Sequence, residues 1–584
     1  MAENFTKPKV LIPDTRSCSQ LGLLTKRWII QPQDPPLQKN ISDALGIHPI
    51  IAQLLINRQI TSLPQAKMFL SADMASLSNP FLLADMDRAV ARIEQAQKKS
   101  EKILIYGDYD VDGVTSSALL RRLFNYLGIQ TINYIPHRME EGYGLNQEVA
   151  QFAKSQGIHL LITVDCGINA FGPIEAINAA GINVIVIDHH EPERSKLPPA
   201  WAVINPKRED CLYPFKNLSA VGLVAKLMQA ILGHIPLEDL DLVALGTVAD
   251  MVPLLGENRI FVKNGLPFIE TTNKPGLQAL LEVAKIAGKK MKPYYIGFIL
   301  GPRLNAAGRM DSATVSLDLL LSEDPADAYA LACSLEAHNL TRQKMQNEVV
   351  EEALAMIEAD EILKAQDIIV VHKQGWHKGV LGIVASRIVD KYYRPTVVIS
   401  VEDGMGTGSA RSIDGFHLHE ALANCASVLE NYGGHKRAAG LRLKHDNIEV
   451  FRQAMNDFAR AVLPLEKFIP TLEIDCEIPL SVIDLNVVEI ISSMEPHGEG
   501  NPAPVFCSRG LTVKSPPSLL GKDTIKFWVS DGVKTISAVG FGMGSFKDRV
   551  KLGEKVDLAY TPSIDDWNKA PTVQLMLKDI KPLV

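Results

Sequence analysis

The chain is poor in the features that mark several protein classes. Its 584 residues carry seven scattered cysteines and no Cys-x-x-Cys pair, which argues against a zinc knuckle or a disulfide framework and for reduced thiols. Cys166, beside Asp165, reads as a small packing residue. No apolar stretch reaches the ~18 residues that a membrane helix needs, and residues 1–22 hold no signal-peptide core. A cytoplasmic protein without a membrane span is expected. Positive charge is not in excess either: 60 Lys and Arg stand against 67 Asp and Glu, a formal net charge of -7. That excludes a promiscuous nucleic-acid coat, so any DNA contact must come from a local basic groove. Acids that coordinate cations count toward this net charge without repelling an anionic substrate.

What is present begins with length, which exceeds what one hydrophobic core serves and implies three or four domains. The strongest local signal is Lys102-Ile103-Leu104-Ile105-Tyr106-Gly107-Asp108-Tyr109-Asp110-Val111-Asp112-Gly113, an apolar run that empties into three aspartates at alternate positions. Read as an extended segment, it projects the carboxylates to one side, where their repulsion calls for a cation, and hard divalent ions prefer oxygen ligands. A calcium-binding EF-hand loop also opens Asp-x-Asp-x-Asp-Gly. Counted from Asp108, however, its twelfth position is Leu119 rather than a bidentate glutamate, and a β-type run precedes it. Calcium storage is set aside.

Two further apolar runs end in acids, residues 160–164 before Asp165 and 184–187 before Asp188-His189-His190, with a crossover helix expected over 172–181. Parallel strands of such a βαβ unit share one carboxyl edge, and ligands of open α/β sheets sit in the crevice outside it. Acids remote in sequence are therefore predicted to meet there. A single strand-end aspartate is more often the N-cap of the next helix. Three of them, two adjacent histidines, and Asp250 after the apolar run 242–249 instead describe a mixed oxygen and nitrogen ligand set, suited to manganese or magnesium.

Five regions are expected along the chain. Residues 1–70 form an extension, helical over 41–70, in which Trp28 is a packing residue. A metal-binding domain of doubly wound, mainly parallel α/β type occupies 71–324. A linking helix follows over 325–360, where Gly and Pro are absent after Pro325 and Leu331, Leu335, Val349, Ala353, Leu354 and Ile357 recur near helical spacing. At about 1.5 Å per residue it would span ~50 Å and could hold two domains apart around a cleft that admits a DNA strand. A second α/β domain covers 361–463, and short β runs at 525–529, 536–541, 556–561 and 572–577 indicate a small barrel over 464–584.

The residues resemble a known family. Asp108-Tyr109-Asp110-Val111-Asp112-Gly113, Val164-Asp165-Cys166-Gly167, Asp188-His189-His190 and Gly246-Thr247-Val248-Ala249-Asp250 are similar to the four ordered motifs of the DHH phosphoesterases. Gly301-Pro302-Arg303-Leu304-Asn305-Ala306-Ala307-Gly308-Arg309 and Gly433-Gly434-His435-Lys436-Arg437-Ala438-Ala439-Gly440 narrow the resemblance to the RecJ single-stranded-DNA exonucleases and their DHHA1 domain. The resemblance implies an OB-fold for the barrel, with Phe527, Trp528, Tyr560 and Trp567 as candidate base-stacking platforms. It also implies phosphodiester hydrolysis with two metal ions, manganese or magnesium, ~3.5–4 Å apart. Asp165 would bridge them, Asp110 would serve the first, Asp112, His189 and Asp250 the second, and Asp108 would stand close by. His190, assisted by Asp188, would stabilise the attacked phosphate or protonate the departing 3′ oxygen. Arg303, Asn305 and Arg309 would meet substrate phosphates or brace an interface, with Arg303 the first choice for contact. Arg138, Ser409 and Arg411 would hold a terminal 5′ phosphate, with His435 nearby. The same resemblance implies 5′ to 3′ polarity on single-stranded DNA, single-strand binding protein as a partner, and a monomer. Two other readings stand beside it: a DHH phosphoesterase acting on pyrophosphate, cyclic dinucleotides or short RNA, and a non-catalytic replication scaffold.

Overall fold

The computed structural model of the protein describes residues 26–137, 144–193, 196–310, 312–521, 523–565 and 571–583. They fall into two compact units, one of 35–340 with 490–503, the other of the remaining segments 26–34, 341–489 and 504–583. The first strand, β1 (Arg27–Ile30), belongs to the second unit.

In the first unit, β2 (Lys102–Gly107), β3 (Thr131–Tyr134), β4 (Ile158–Val164), β5 (Asn183–Ile187) and β6 (Ala202–Ile204) form a wholly parallel sheet in the order β3-β2-β4-β5-β6. Its strands are mostly apolar, and buried from Ile103 to Gly107, Leu160 to Val164 and Val184 to Ile187, because both faces are covered. Ile103, Ile105, Leu160, Ile162, Ile185 and Ile187 enter one core, while Leu104, Tyr106, Leu161, Val184 and Val186 enter the other. The strand order reverses between β2 and β4, which is where a doubly wound sheet opens a crevice at its carboxyl edge. The crossover helix Phe171–Ala179 joins β4 to β5. The apolar run 242–249 lies in a helix, Leu240–Ala249, buried on every side from Leu240 to Val248. Asp250 therefore reaches the crevice from a helix end and not from the sheet rim.

The segment 490–503 packs on this unit around one buried cation. Arg259, 1% exposed, donates to the carbonyls of Phe69 (2.7 Å), Met494 (3.0 Å), Pro496 (3.3 Å), Ser493 (3.4 Å) and Glu495 (2.9 Å), and its guanidinium lies 3.8 Å from the Phe69 ring centroid. Burial, with Arg58 nearby, lowers its pKa to about 10. Arg58 in turn donates to Asn501 Oδ1 at 2.7 Å.

A single 35-residue helix, Pro325–Ala359, occupies the expected linking segment. Ala328, Ala332 and Leu335 join the core of the first unit, and Val349, Ala353 and Ile357 a core of the second. In that second unit β7 (Ile369–Gln374), β8 (Thr396–Glu402), β9 (Met405–Arg411), β10 (Asn431–Gly434) and β11 (Ala438–Lys444) order as β10-β11-β9-β8-β7, parallel at β7–β8 and antiparallel elsewhere.

β12 (Thr471–Ile474) pairs in parallel with β1. Trp28 is fully buried there, its Nε1–H donating to Asp579 Oδ2 at 2.7 Å. After β13 (Cys476–Glu477) come β14 (Phe506–Val513), β15 (Ser518–Leu520), β16 (Thr524–Ser530), β17 (Thr535–Phe541), β18 (Lys555–Asp565) and β19 (Thr572–Leu583). The pairings β14–β18–β19–β17–β16 close on β14 again through Thr512 and Val513. This five-stranded OB-type barrel has few open edges. Closure decides the aromatic question for two of the four candidates: Phe527 and Tyr560 are core, the latter with its hydroxyl 2.6 Å from Ser508 Oγ. Trp528 is 46% exposed. Trp567 lies outside the described residues.

Candidate metal centre

The aspartates after β2 do not continue the strand. The chain turns at Asp108, and Asp110 caps the helix Val111–Tyr126, its Oδ1 accepting the N–H groups of Asp112 (3.0 Å) and Gly113 (3.1 Å). Capping and metal binding are thus compatible uses of one carboxylate, since the second oxygen stays available. Gly113 is obligatory, because a Cβ there would sit 2.5 Å from Asp108 O. Asp112, in the first helical turn and 1% exposed, accepts from Ala220 N (2.7 Å) and Val221 N (2.8 Å) at the start of the helix Ala220–Leu232. Burial and the Asp110 charge nevertheless raise its pKa to about 7.

Asp165 and Asp188 each stand one residue beyond their strand, held by Asp165 N–H to Ile187 O (3.0 Å) and Asp188 N–H to Ile204 O (3.1 Å). Asp165 is 1% exposed and adopts φ 63°, a left-handed conformation uncommon for a non-glycine residue and often found at functional sites. Burial, then Asp110, Asp112, Asp250 and Asp108, push its pKa well above the carboxylate range. Asp250 caps the C-terminus of Leu240–Ala249, where the helix dipole also disfavours an anion. Burial and the charges of Asp112 and Asp110 raise its pKa strongly too.

His189 explains how such a cluster persists. Its Nε2 lies 3.2 Å from Asp165 Oδ1 and 3.6 Å from Asp250 Oδ2, yet burial and the neighbouring His190 lower its pKa to about 3, so the ring is neutral. Asp165 Oδ1, Asp250 Oδ2 and His189 Nε2 are all buried without a hydrogen-bond partner. Because His189 is hydrogen-bonded to the Leu218 backbone, the other ring nitrogen is engaged there and Nε2 is the lone-pair atom. Buried lone pairs facing one another repel, and a cation between them removes that repulsion. Three sets of donors lie close enough to share an ion: Asp108, Asp110 and Asp165; Asp112, His189 and Asp250; Asp165, His189 and His190, with ligand atoms within 4.8 Å in each set. Asp165 is common to the first and third sets and His189 to the second and third, and the oxygen-rich donors with imidazole fit manganese or magnesium.

His190 is oriented by Asp188, whose Oδ1 is 2.7 Å from Nδ1 and also accepts His190 N–H at 3.1 Å, while Oδ2 accepts Ile168 N–H at 3.0 Å. Burial opposes its charge, but the Asp188 bond and charge, with Asp110 and Asp108 behind, raise its pKa. Sequence reasoning missed Asn205, whose Nδ2 holds the His190 carbonyl at 2.9 Å. Its signal was the same as that of the acids: it follows β6 immediately.

The helix Gly301–Met310 carries Arg303, Asn305 and Arg309, and Gly308 is pressed on the metal loop, where a Cβ would be 3.1 Å from Tyr109 O. Arg303 is engaged by Glu336, Nε to Oε2 at 2.6 Å, and donates to Ile299 O at 2.8 Å. In the second unit Ser409 and Arg411 project from β9 onto the first turn of the helix Leu381–Tyr392, where a Cβ on Gly382 would be 2.7 Å from Arg411 Nη2 and 3.1 Å from Ser409 Oγ. Ser409 pairs with Gly440, and Gly440 with Gly433, so a row of bare backbone runs beside the hydroxyl. A Cβ at Gly433 would meet nothing within 4 Å. His435 is exposed in the turn between β10 and β11, its N–H donating to Ala438 O at 2.8 Å. Arg138 lies outside the described residues.

Three family matches cover these parts: the DHH family, N-terminal domain, over residues 102–247, the DHHA1 domain over 365–461, and the RecJ OB domain over 474–579. The single-stranded-DNA-specific exonuclease RecJ of Bacillus subtilis is 38% identical over 556 residues, 95% of this chain and 70% of the relative. That of Escherichia coli is 35% identical over 534 residues, 86% of this chain and 91% of the relative. The crystal structure of RecJ in complex with Mn2+ from Thermus thermophilus superposes with a TM-score of 0.81 at 28% identity, covering 95% of this chain and 80% of the other. A Mg2+ complex of the same protein matches with a TM-score of 0.75. With the metal-ready cluster, both flanking domains and this near full-length identity in agreement, the chain belongs to the RecJ family.

Proposed function

We propose that the protein is a metal-dependent exonuclease that hydrolyses phosphodiesters of single-stranded DNA from the 5′ end, releasing mononucleotides in recombination and repair. The observation that carries this is the convergence of buried, unpartnered lone pairs on Asp165, His189 and Asp250, in a chain whose relatives at 33–38% identity are named single-stranded-DNA-specific exonucleases. Asp108, Asp110 and Asp165 would hold one divalent ion and Asp112, His189 and Asp250 a second; such ions would supply charge neutralisation at phosphorus and a more acidic water.

The chain's own groups do the rest. Asp188 fixes the His190 ring through Nδ1, so Nε2 serves the substrate: a proton there is shared with a phosphate oxygen or delivered to the departing 3′ oxygen. Ser409, Arg411 and the helix start at Gly382 have the chemistry of a phosphate pocket, a hydroxyl and a planar cation at a positive helix end. A strand gripped by its terminal phosphate is read from that end, which supports the polarity. Arg309 and Asn305, on the helix whose Gly308 lies against Tyr109, would meet substrate phosphates, and His435 would be a further substrate contact. The reading includes a cytoplasmic monomer that receives DNA from a single-strand binding protein. Buried free thiols at Cys166, Cys211, Cys425, Cys476 and Cys507 fit a reducing compartment. Among the described residues no helix is long and apolar enough to cross a membrane.

Digestion of strands labelled at either end, with Mn2+, tests the reading. The 5′ label is expected to leave as a mononucleotide while a blunt duplex survives. Release from the 3′ end, or turnover of pyrophosphate or a cyclic dinucleotide in place of the strand, would contradict it.

A further inference from the structure

Between Glu282 and Asp311 the chain has no acidic residue and six basic ones, Lys285, Lys289, Lys290, Lys292, Arg303 and Arg309, in a protein whose net charge is -7. This stretch contains a continuous helical rod, Pro293–Tyr295 running into a π turn, Ile296–Leu300, and then Gly301–Met310. Near its start Tyr294 is 61% exposed and Phe298 71% exposed, their rings stacked with centroids 5.1 Å apart and planes 28° from parallel. Lys289, Lys290 and Lys292 are exposed around them. Lys292 Nζ approaches Glu495 only to 3.9 Å, and Lys289 Nζ is 5.8 Å from the Tyr295 ring. A hollow of about 360 Å³ adjoins, lined by Lys263, Lys290, Lys292 and Tyr294 together with Glu270 and Glu495.

We infer that this rod is a track for the uncleaved remainder of the DNA strand, with Tyr294 and Phe298 as its stacking platform. The inference rests on the reading of the protein as a single-strand nuclease. Large aromatic faces held open to water beside unpaired-strand-compatible cations are the two components of sequence-tolerant single-strand binding: every base has a face to stack, and every phosphate a charge to meet. Continuity with the metal centre selects this occupant. Gly308 lies on the loop between Asp108 and Asp110, and a Cβ on Gly301 would be 3.8 Å from Ala249, the neighbour of Asp250. From Phe298 to Gly308 the rod advances ~15 Å. Tyr294, Phe298, Pro302, Asn305 and Arg309 recur every three or four residues along one exposed or half-exposed stripe. A strand leaving the metals along Arg309 and Asn305 meets the aromatic pair next.

The test compares the full-length protein with its Tyr294→Ala/Phe298→Ala double variant, both side chains being exposed. In EDTA, so that nothing is cleaved, a fluorescent twenty-nucleotide strand is expected to bind the variant roughly ten- to a hundredfold more weakly, the loss of one or two stacked bases. With Mn2+, the parent's preference for a twenty-mer over a trinucleotide should collapse in the variant through KM. Equal strand binding and an unchanged length preference would overturn the track and leave the patch to a protein partner. Failure of the parent itself to digest single strands would instead remove the functional reading on which the track depends.

Discussion

Asp250→Asn should make the metal-free protein more stable and the metal-loaded protein less so. The parent carboxylate is half-buried at a helix C-terminus, where Asp112 and Asp110 outweigh Lys207. Removing an anion from such an end contributes about 1 kcal/mol, up to ~2 when partly buried. Relief of the neighbours adds to this. Asp112 is the foremost of the charges that raise the Asp250 carboxylate, and its own ionisation, opposed by burial and Asp110, becomes easier once that anion is gone. A gain of roughly 1–3 kcal/mol is expected for the apo variant at pH 8, on the order of 2–4 °C in Tm. The sign follows from linkage. These acids have raised folded pKa values, so between the ordinary carboxylate pKa and those values the folded apo protein binds more protons than the unfolded chain and loses stability as pH rises across that window. The variant's advantage should therefore shrink at pH 5. Saturating Mn2+ reverses the order, because a ligand at a hundred times its Kd contributes about 2.7 kcal/mol to the parent and little to a site lacking one of its donors. Differential scanning calorimetry at pH 5 and 8, with EDTA or Mn2+, reads all four states. A variant less stable than the parent in EDTA at pH 8 would refute the reasoning.

His190→Ala is expected to lower kcat by roughly 10²–10⁴-fold while leaving Mn2+ affinity within a few fold, and Asp188→Asn to shift the acid or base limb of the pH–rate profile through His190; loss of metal binding in either would show the dyad to be a ligand pair. Arg411→Ala should abolish discrimination between 5′-phosphorylated and 5′-hydroxyl strands, measured as the ratio of kcat/KM; an unchanged ratio would remove it from a phosphate pocket. Arg259→Met strands five carbonyls that the guanidinium now serves, so a loss of about 3 kcal/mol or more is expected in chemical denaturation; a neutral result would show that the 490–503 segment is held by other contacts.

Much of this was legible because local pattern and tertiary role agreed. The runs at 102–107, 160–164 and 184–187 are strands since both faces of a doubly wound sheet are covered, and residues 325–359 are one helix because nothing interrupts the pattern. Residues 242–249 show the limit: a helix buried all round and a buried strand have the same apolar composition. The alternate aspartates meet at one site, but by way of a helix cap and a first helical turn rather than strand alternation. Long-range pairings left no local trace at all. β1 finds β12 more than four hundred residues away, and Arg259 gathers carbonyls from Ser493 to Pro496. Of the candidate stacking aromatics, barrel closure buried Phe527 and Tyr560, whereas the exposed pair Tyr294 and Phe298 lay in a segment read only as part of the metal domain.

The most direct test of the central claim is anomalous diffraction from crystals of the protein grown with Mn2+. Two peaks ~3.5–4 Å apart are expected, with Asp165 between them, Asp110 on one and His189 with Asp250 on the other. A lone peak that Asp165 does not touch, or manganese bound only elsewhere, would contradict the account.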